Sequence, residues 1–167
     1  MEIMKKKHRK TYKQVYIGSR GVCTILRPGN NMLIFEWGLF ETCTFIYNPE
    51  DASIRMRTKI LEGGKVKYLN EGWVCEIGKL PEEEQYFFCT SAKNMLWTIE
   101  EKIEKDMKKR LEDKNYNRDC SDCYIDYKSI LEIINTIKKH ISPAVLERTL
   151  FDTGKISSKM LQKLLIN

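Results

Sequence analysis

The sequence predicts an α+β fold, with antiparallel strands first and one long amphipathic helix after them. Two observations carry this. The apolar pattern changes period near residue 90: short strand-like runs precede it, and a helical stripe of Leu96, Ile99, Ile103, Met107 and Leu111 follows it. The second is the pair of runs Gly21–Leu26 and Met32–Trp37, separated by Arg27-Pro28-Gly29-Asn30-Asn31, which reads as a β-hairpin around a turn-forming segment.

Further strands follow in order. Thr44-Phe45-Ile46-Tyr47 stops at the turn signal Asn48-Pro49-Glu50-Asp51. Residues 53–60 alternate apolar and polar, as a half-buried strand does. Glu62-Gly63-Gly64-Lys65 is a hairpin turn, and Val66–Leu69 is its returning strand. Trp73–Ile77 and Tyr86-Phe87-Phe88 complete about seven strands. A helix over about 92–112, capped by Thr90 or Ser91, carries acids toward its start and bases toward its end, which suits the helix dipole. This layout is that of a pleckstrin-like antiparallel β-barrel or sandwich closed by a C-terminal amphipathic helix.

Around this unit the chain divides into a flexible basic tail (1–13), the pleckstrin-like domain (14–113), a polar linker (114–125) and a small helical region (126–167). In the last region Asp126 is a cap for a helix bearing Ile130, Ile133, Ile134 and Ile137. Ser142-Pro143 is a cap followed by proline at the first helical position. Ser157 or Ser158 caps a last helix with Leu161, Leu164 and Leu165. So small a helical piece needs to dock on the first domain or on a partner.

The net charge of +6 sits mostly in the tail. There Lys5, Lys6, Lys7, Arg9, Lys10 and Lys13 face only Glu2, a balance of +5, which leaves +1 for the rest of the chain. A nearly neutral body argues against nucleic-acid binding as the main function, although a small RNA-associated protein using the tail is an alternative. No apolar run approaches the length that spans a bilayer, and no apolar stretch follows the basic cluster, so neither a membrane segment nor a secretory signal is expected.

The six cysteines are then reduced thiols of a cytoplasmic or nuclear protein. Cys120-Ser121-Asp122-Cys123 has the spacing of half a zinc site, but no second pair completes it, and no metal or cofactor is expected. Neither His8 in the tail nor His140 among lysines stands with a nucleophile or a phosphate loop, so the chain reads as a non-enzyme. Binding is better supplied. Trp37, Phe40 and Trp73 stand at strand ends, where an aromatic lines either a core or a groove, and Trp37-Gly38-Leu39-Phe40 needs a partner or a local cover.

The run Arg20–Ile25, the turn and Met32–Trp37 resemble the first hairpin of the Pru domain, the pleckstrin-like receptor for ubiquitin in the proteasome regulatory particle. Phe45–Asp51 resembles that family's apolar strand ending in a Pro-acid-acid turn, and Tyr86-Phe87-Phe88-Cys89 its penultimate strand. The resemblance implies a non-catalytic proteasome subunit, docked on the tail of a scaffold subunit and binding ubiquitin weakly. It implies ubiquitin contacts at Met32, Asn48, Asp51, Ile77 and Leu80, with Asn48 replacing an aromatic anchor. It implies scaffold-tail contacts at Trp37, Phe40 and Cys89, with Cys89 also standing where an aromatic is usual. Residues 126–167 would correspond to a shortened domain that recruits a ubiquitin hydrolase. The other reading is a different pleckstrin-like module, whose Arg55, Arg57, Lys59, Lys65 and Lys67 form a basic mouth for a peptide or an acidic lipid headgroup.

Overall fold

The computed structural model describes residues 12–29, 32–38, 43–116 and 121–149. Six strands run in sequence: β1 (Tyr12–Gly18), β2 (Gly21–Arg27), β3 (Leu33–Trp37), β4 (Cys43–Asn48), β5 (Ser53–Glu62) and β6 (Lys65–Trp73). A 3-10 helix (Val74–Lys79) leads to α1 (Glu82–Glu112), and α2 (Ser121–Lys138) and α3 (Pro143–Thr149) follow.

The strands form one antiparallel meander in the order β1-β2-β3-β4-β5-β6. Each pairs only with its sequence neighbours, so β1 and β6 are edges among the described residues. The sheet is open, in place of the expected barrel or sandwich. The predicted hairpin forms as β2 and β3, with Ile25 opposite Phe35. Gly63 and Gly64 turn β5 into β6 with φ of 60° and 80°, a left-handed pair that side chains disfavour. Gly21 also has positive φ, 138°, and a Cβ there would stand 2.6 Å from the Trp37 ring.

Three expectations are corrected. The tail does not extend to residue 13, because Tyr12 and Lys13 already pair with Arg27 and Leu26. The strand expected over Trp73–Ile77 ends at Trp73, and the chain continues as the 3-10 helix. The strand expected at Tyr86-Phe87-Phe88 is helical, since α1 begins at Glu82 rather than near residue 92. Three glutamates directly after Pro81 place negative charge on the helix N-terminus. From there Gln85, Phe88, Cys89, Ala92, Met95, Leu96, Ile99 and Ile103 fall at spacings of three and four, all buried. The aromatic triplet is split by that period: Phe88 is fully buried, while Phe87 is 38% exposed.

The core lies between one face of the sheet and the helices. Tyr16, Cys23, Ile25, Phe35, Phe45, Tyr47, Ile54 and Met56 alternate along the strands toward it. Phe45 meets Phe88 edge-on at a centroid distance of 6.1 Å. The same core takes Cys123, Tyr127, Ile130, Ile133, Ile134 and Ile137 of α2.

Thus α2 starts within the segment expected as linker and packs with the sheet in one core. Asp126 is not its cap but an interior residue of the helix. It accepts hydrogen bonds from Tyr16 Oη at 2.6 Å and from Arg27 at 2.7 Å. Further along, Glu132 accepts from Tyr47 Oη, and Tyr127 donates to Glu100 of α1 at 2.7 Å. So α2 crosses the strands, from β1 and β2 to β4. The Ser142 cap of α3 forms as expected: its Oγ accepts from the Val145 N–H at 3.2 Å. Gln85 ties this region together, donating to Leu80 O at 2.9 Å and accepting from the Ser142 N–H at 2.9 Å.

Candidate functional site: the open face of the sheet

The helices cover one face of the sheet, and no described element packs on the other. Strand alternation and register fix what that outer face presents. One row across the strands is Lys13, Leu26, Ile34, Ile46 and Arg55; the next is Val15, Thr24, Glu36, Thr44 and Arg57.

Leu26, Ile34 and Ile46 are half-buried, and Lys13 and Arg55 are exposed. On β1, Val15 is 44% exposed and Ile17 is 72% exposed. The aliphatic part spans β1 to β4 and the basic part lies on β5, where Lys59 follows Arg57. A shallow recess of about 130 Å³ lies on β4 and β5, lined by Thr44, Ile46, Arg55, Met56 and Arg57.

The strands themselves explain why this face is unusual. A sheet with one solvated face alternates apolar and polar residues, whereas a sheet covered on both faces has continuous apolar runs. Val22-Cys23, Ile25-Leu26, Leu33-Ile34-Phe35 and Phe45-Ile46-Tyr47 are short runs of the second kind, bounded by Thr24, Glu36 and Thr44. Only β5 alternates cleanly, with Ile54, Met56 and Thr58 buried and Arg55, Arg57 and Lys59 outside the core. The center of the sheet is built for two covers, and the described chain supplies one.

The residues predicted for partner binding fall into two groups. Met32, 38% exposed, stands one position before the Leu33–Tyr47 pair, beside Asn48 and next to Ile34 on the outer face. Asn48 and Asp51 shape the β4–β5 turn: Asn48 Oδ1 accepts from the Glu50 N–H and Asp51 Oδ1 from the Ser53 N–H, each at 3.0 Å. The bonds from Ser53 hold the Asp51 carboxyl below its ordinary range.

Met32, Asn48 and Asp51 therefore share one margin of the outer face. Ile77 is 1% exposed and Leu80 packs against the core, so these two are not gathered with them. Cys89, fully buried on α1, and Trp37, 8% exposed over Gly21, are core residues rather than groove residues. Phe40 lies outside the described residues.

The described residues hold no candidate metal centre. No group of three or more His, Cys, Asp or Glu is placed to hold a metal ion among them. Cys123 is buried, and Cys120 lies outside the described residues. Burial pushes the thiols of Cys43 and Cys89 up to about 12, which keeps both protonated and unreactive. No described helix is long and apolar enough to cross a membrane.

The outer-face residues Val15, Val22, Leu26, Ile34 and Ile46 escape a reading by period alone, because a fully apolar run does not say which of its residues face the helices. The signal that finds them is the continuous apolar character of three adjacent strands combined with only one helical layer. No protein-family model matches the chain, and neither does any curated protein or solved structure.

Proposed function

We propose that this protein is a non-catalytic docking module that binds a partner protein through the outer face of its sheet. The single observation that carries the proposal is the mismatch between strands apolar on both faces and helices packed on one. Half-buried Leu26, Ile34 and Ile46, with exposed Val15 and Ile17 beside them, give this face an apolar stretch beside Lys13, Arg55 and Arg57, a pattern that suits an interaction site. The test is partner recovery from native lysate with tagged full-length protein and with Ile46→Asp and Leu26→Asp variants. Partners held by the parent and lost from both variants support the reading. Partners retained equally by all three sink it.

A second reading is favoured by the margin where Met32, Asn48 and Asp51 meet. In it the module is a divergent pleckstrin-like subunit of the proteasome regulatory particle, with weak ubiquitin affinity along that margin. Met32 supplies the aliphatic contact and Asp51 the charge, while Asn48 lacks the apolar area of an aromatic anchor. An anchor of that kind is commonly worth about 2 kcal/mol at a hot spot. Proteasome regulatory subunits among the recovered partners, and ubiquitin-induced NMR shifts at Met32 and Asp51, are the expected results. Recovery without any regulatory subunit removes this reading and leaves the first intact.

A further inference from the structure

We infer that β1 is a pairing edge through which two copies of this chain join, antiparallel and two-fold about Val15, into one continuous sheet. The inference goes beyond the docking module. That reading rests on side chains of the outer face, and this one on the backbone of one edge.

The first argument is hydrogen bonding. A strand at the edge of a sheet presents a row of backbone N–H and C=O groups that another extended chain can pair. β1 and β6 are the two edges among the described residues. β6 is blunted: Thr58 pairs with Asn70 and Lys59 with Tyr68, so Leu69 is an extra residue in β6, a bulge that bends this edge. β1 has no such device. It matches β2 residue for residue from Tyr12 to Gly18, contains no proline, and has Lys13 as its one charged residue. Val15 and Ile17, β-branched and suited to a strand, are exposed along it. The helices reach β1 from its inner face and at its turn. There Asp126 accepts from Tyr16 Oη at 2.6 Å, and Glu101 accepts from the Ser19 N–H at 3.1 Å.

The second argument selects the occupant. With Val15 on the two-fold, every residue of β1 is paired: Tyr12 with Gly18, Lys13 with Ile17, Gln14 with Tyr16, and Val15 with itself. Lys13 then stands opposite an isoleucine, along which its methylene stem can lie, and not opposite a charge. The two Lys13 residues are about 14 Å apart along the strands, more than the Debye length of about 8 Å. The chain's own ends are less suited. Residues 1–11 contain no Gly, Pro, Asn or Asp to turn them back beside β1, and residues 150–167 have the helical spacing Leu161, Leu164 and Leu165. Pairing β1 with β6 of another copy leaves a free edge at each end and propagates, whereas β1 with β1 closes. One strand pair is small beside the roughly 1,600 Å² of a stable interface, so this dimer dissociates on dilution.

The test is sedimentation equilibrium of the full-length protein over a concentration series, with backbone hydrogen exchange measured at its two ends. The expected result is a monomer–dimer equilibrium in which β1 amides gain protection in the dimer and β6 amides do not. Ile17→Lys should weaken the dimer about tenfold or more, because the two-fold sets each new charge opposite Lys13 and does so twice. Ile17→Glu meets the same Lys13 with the opposite charge and should dimerise about tenfold more tightly than Ile17→Lys. Ile17 is 72% exposed, so neither change disturbs the core. Val15→Lys, which brings two lysines together on the axis, gives the same answer if Ile17→Lys does not fold.

A monomer at all concentrations up to about 1 mM overturns the inference and leaves the docking module standing. So does a dimer whose β1 amides gain no protection, or one lost in Ile46→Asp and kept in Ile17→Lys, which places the contact on the outer face. Equal dimerisation of Ile17→Lys and Ile17→Glu overturns the two-fold about Val15.

Discussion

The two faces of one sheet are made from alternate residues of the same strands, yet they do different work. Phe45 and Ile46 are adjacent in β4. Phe45 is fully buried against Phe88, whereas Ile46 lies in a recess on a face that no described helix covers. The inner face shows what a covered face looks like in this protein: large apolar side chains, with polar contacts such as Asp126 with Tyr16 and Arg27 among them. The outer face is mixed: Leu26, Ile34 and Ile46 form one aliphatic row, and Thr24, Glu36, Thr44 and Arg57 the polar row beside it. A sheet needing only one layer would have polar residues at positions 26, 34 and 46.

The difference should be largest in stability. Phe45→Ala removes a buried ring and leaves a cavity, at a cost of about 3–5 kcal/mol. That approaches the whole stability of many small domains. Urea unfolding should show a much lower midpoint or no cooperative transition. A cost below about 1 kcal/mol would mean that the two faces are alike.

The next effect concerns the polar contacts of the covered face. Burial raises the Asp126 carboxyl, while the bonds from Tyr16 and Arg27 lower it. Asp126→Ala takes the acceptor from both and leaves Arg27 half-buried without its ion pair, at a cost of about 3 kcal/mol. Asp126→Asn keeps an acceptor for Tyr16 and should cost less. Thermal unfolding of both variants ranks them: equal midpoints would assign the whole loss to the ion pair, and an Asp126→Asn midpoint equal to the parent's would refute its role.

The fold was legible wherever a local signal decided it. The Gly63-Gly64 turn, the β2–β3 hairpin and the Ser142-Pro143 cap all rest on neighbours in sequence, and all formed. Elements failed where two local rules competed. Pro81-Glu82-Glu83-Glu84 is both a turn and a helix start, and the aromatic triplet after it favoured a strand until the helical period from Gln85 to Ile103 is counted through it. Asp126 looked like a cap because it precedes an isoleucine stripe, but its partners lie in β1 and β2, far off in sequence. The site was partly legible for the same reason. Met32, Asn48 and Asp51 sit around one turn and its neighbour strand, whereas Leu26, Ile34 and Ile46 become a row only through the register of three strands.

A smaller effect tests the inner face through its thiols. Burial pushes the Cys43 thiol up to about 12, the Ser91 and Thr58 hydroxyls beside it offsetting only part of the rise, and burial does the same to Cys89. A raised value means that the folded state favours the neutral thiol. The stabilisation is complete below about pH 9 and is lost as pH rises toward about 12, because the unfolded chain ionises first. At about pH 10 the loss is about 1 kcal/mol for each thiol. Urea midpoints measured from neutral pH to about pH 10 should fall, and replacing both cysteines with alanine should lessen the fall, which the buried Cys23 thiol and the Tyr12, Tyr16 and Tyr47 phenols, also raised, continue to drive. Iodoacetamide should modify neither cysteine until the protein unfolds.

The smallest expected effect is the most informative about the outer face. Ile46→Ser shortens a side chain whose neighbours are Ile34 and Arg55 across the strands and no helix above. If the face is open in the free protein, little apolar surface changes its environment, and the midpoint should move by less than about 0.5 kcal/mol. A loss of about 2 kcal/mol would mean that Ile46 is already covered, so that the protein finishes its own second layer. A partner protein bound on an open face gives a different result: Ile46→Ser lowers its affinity while leaving the stability of the free protein unchanged.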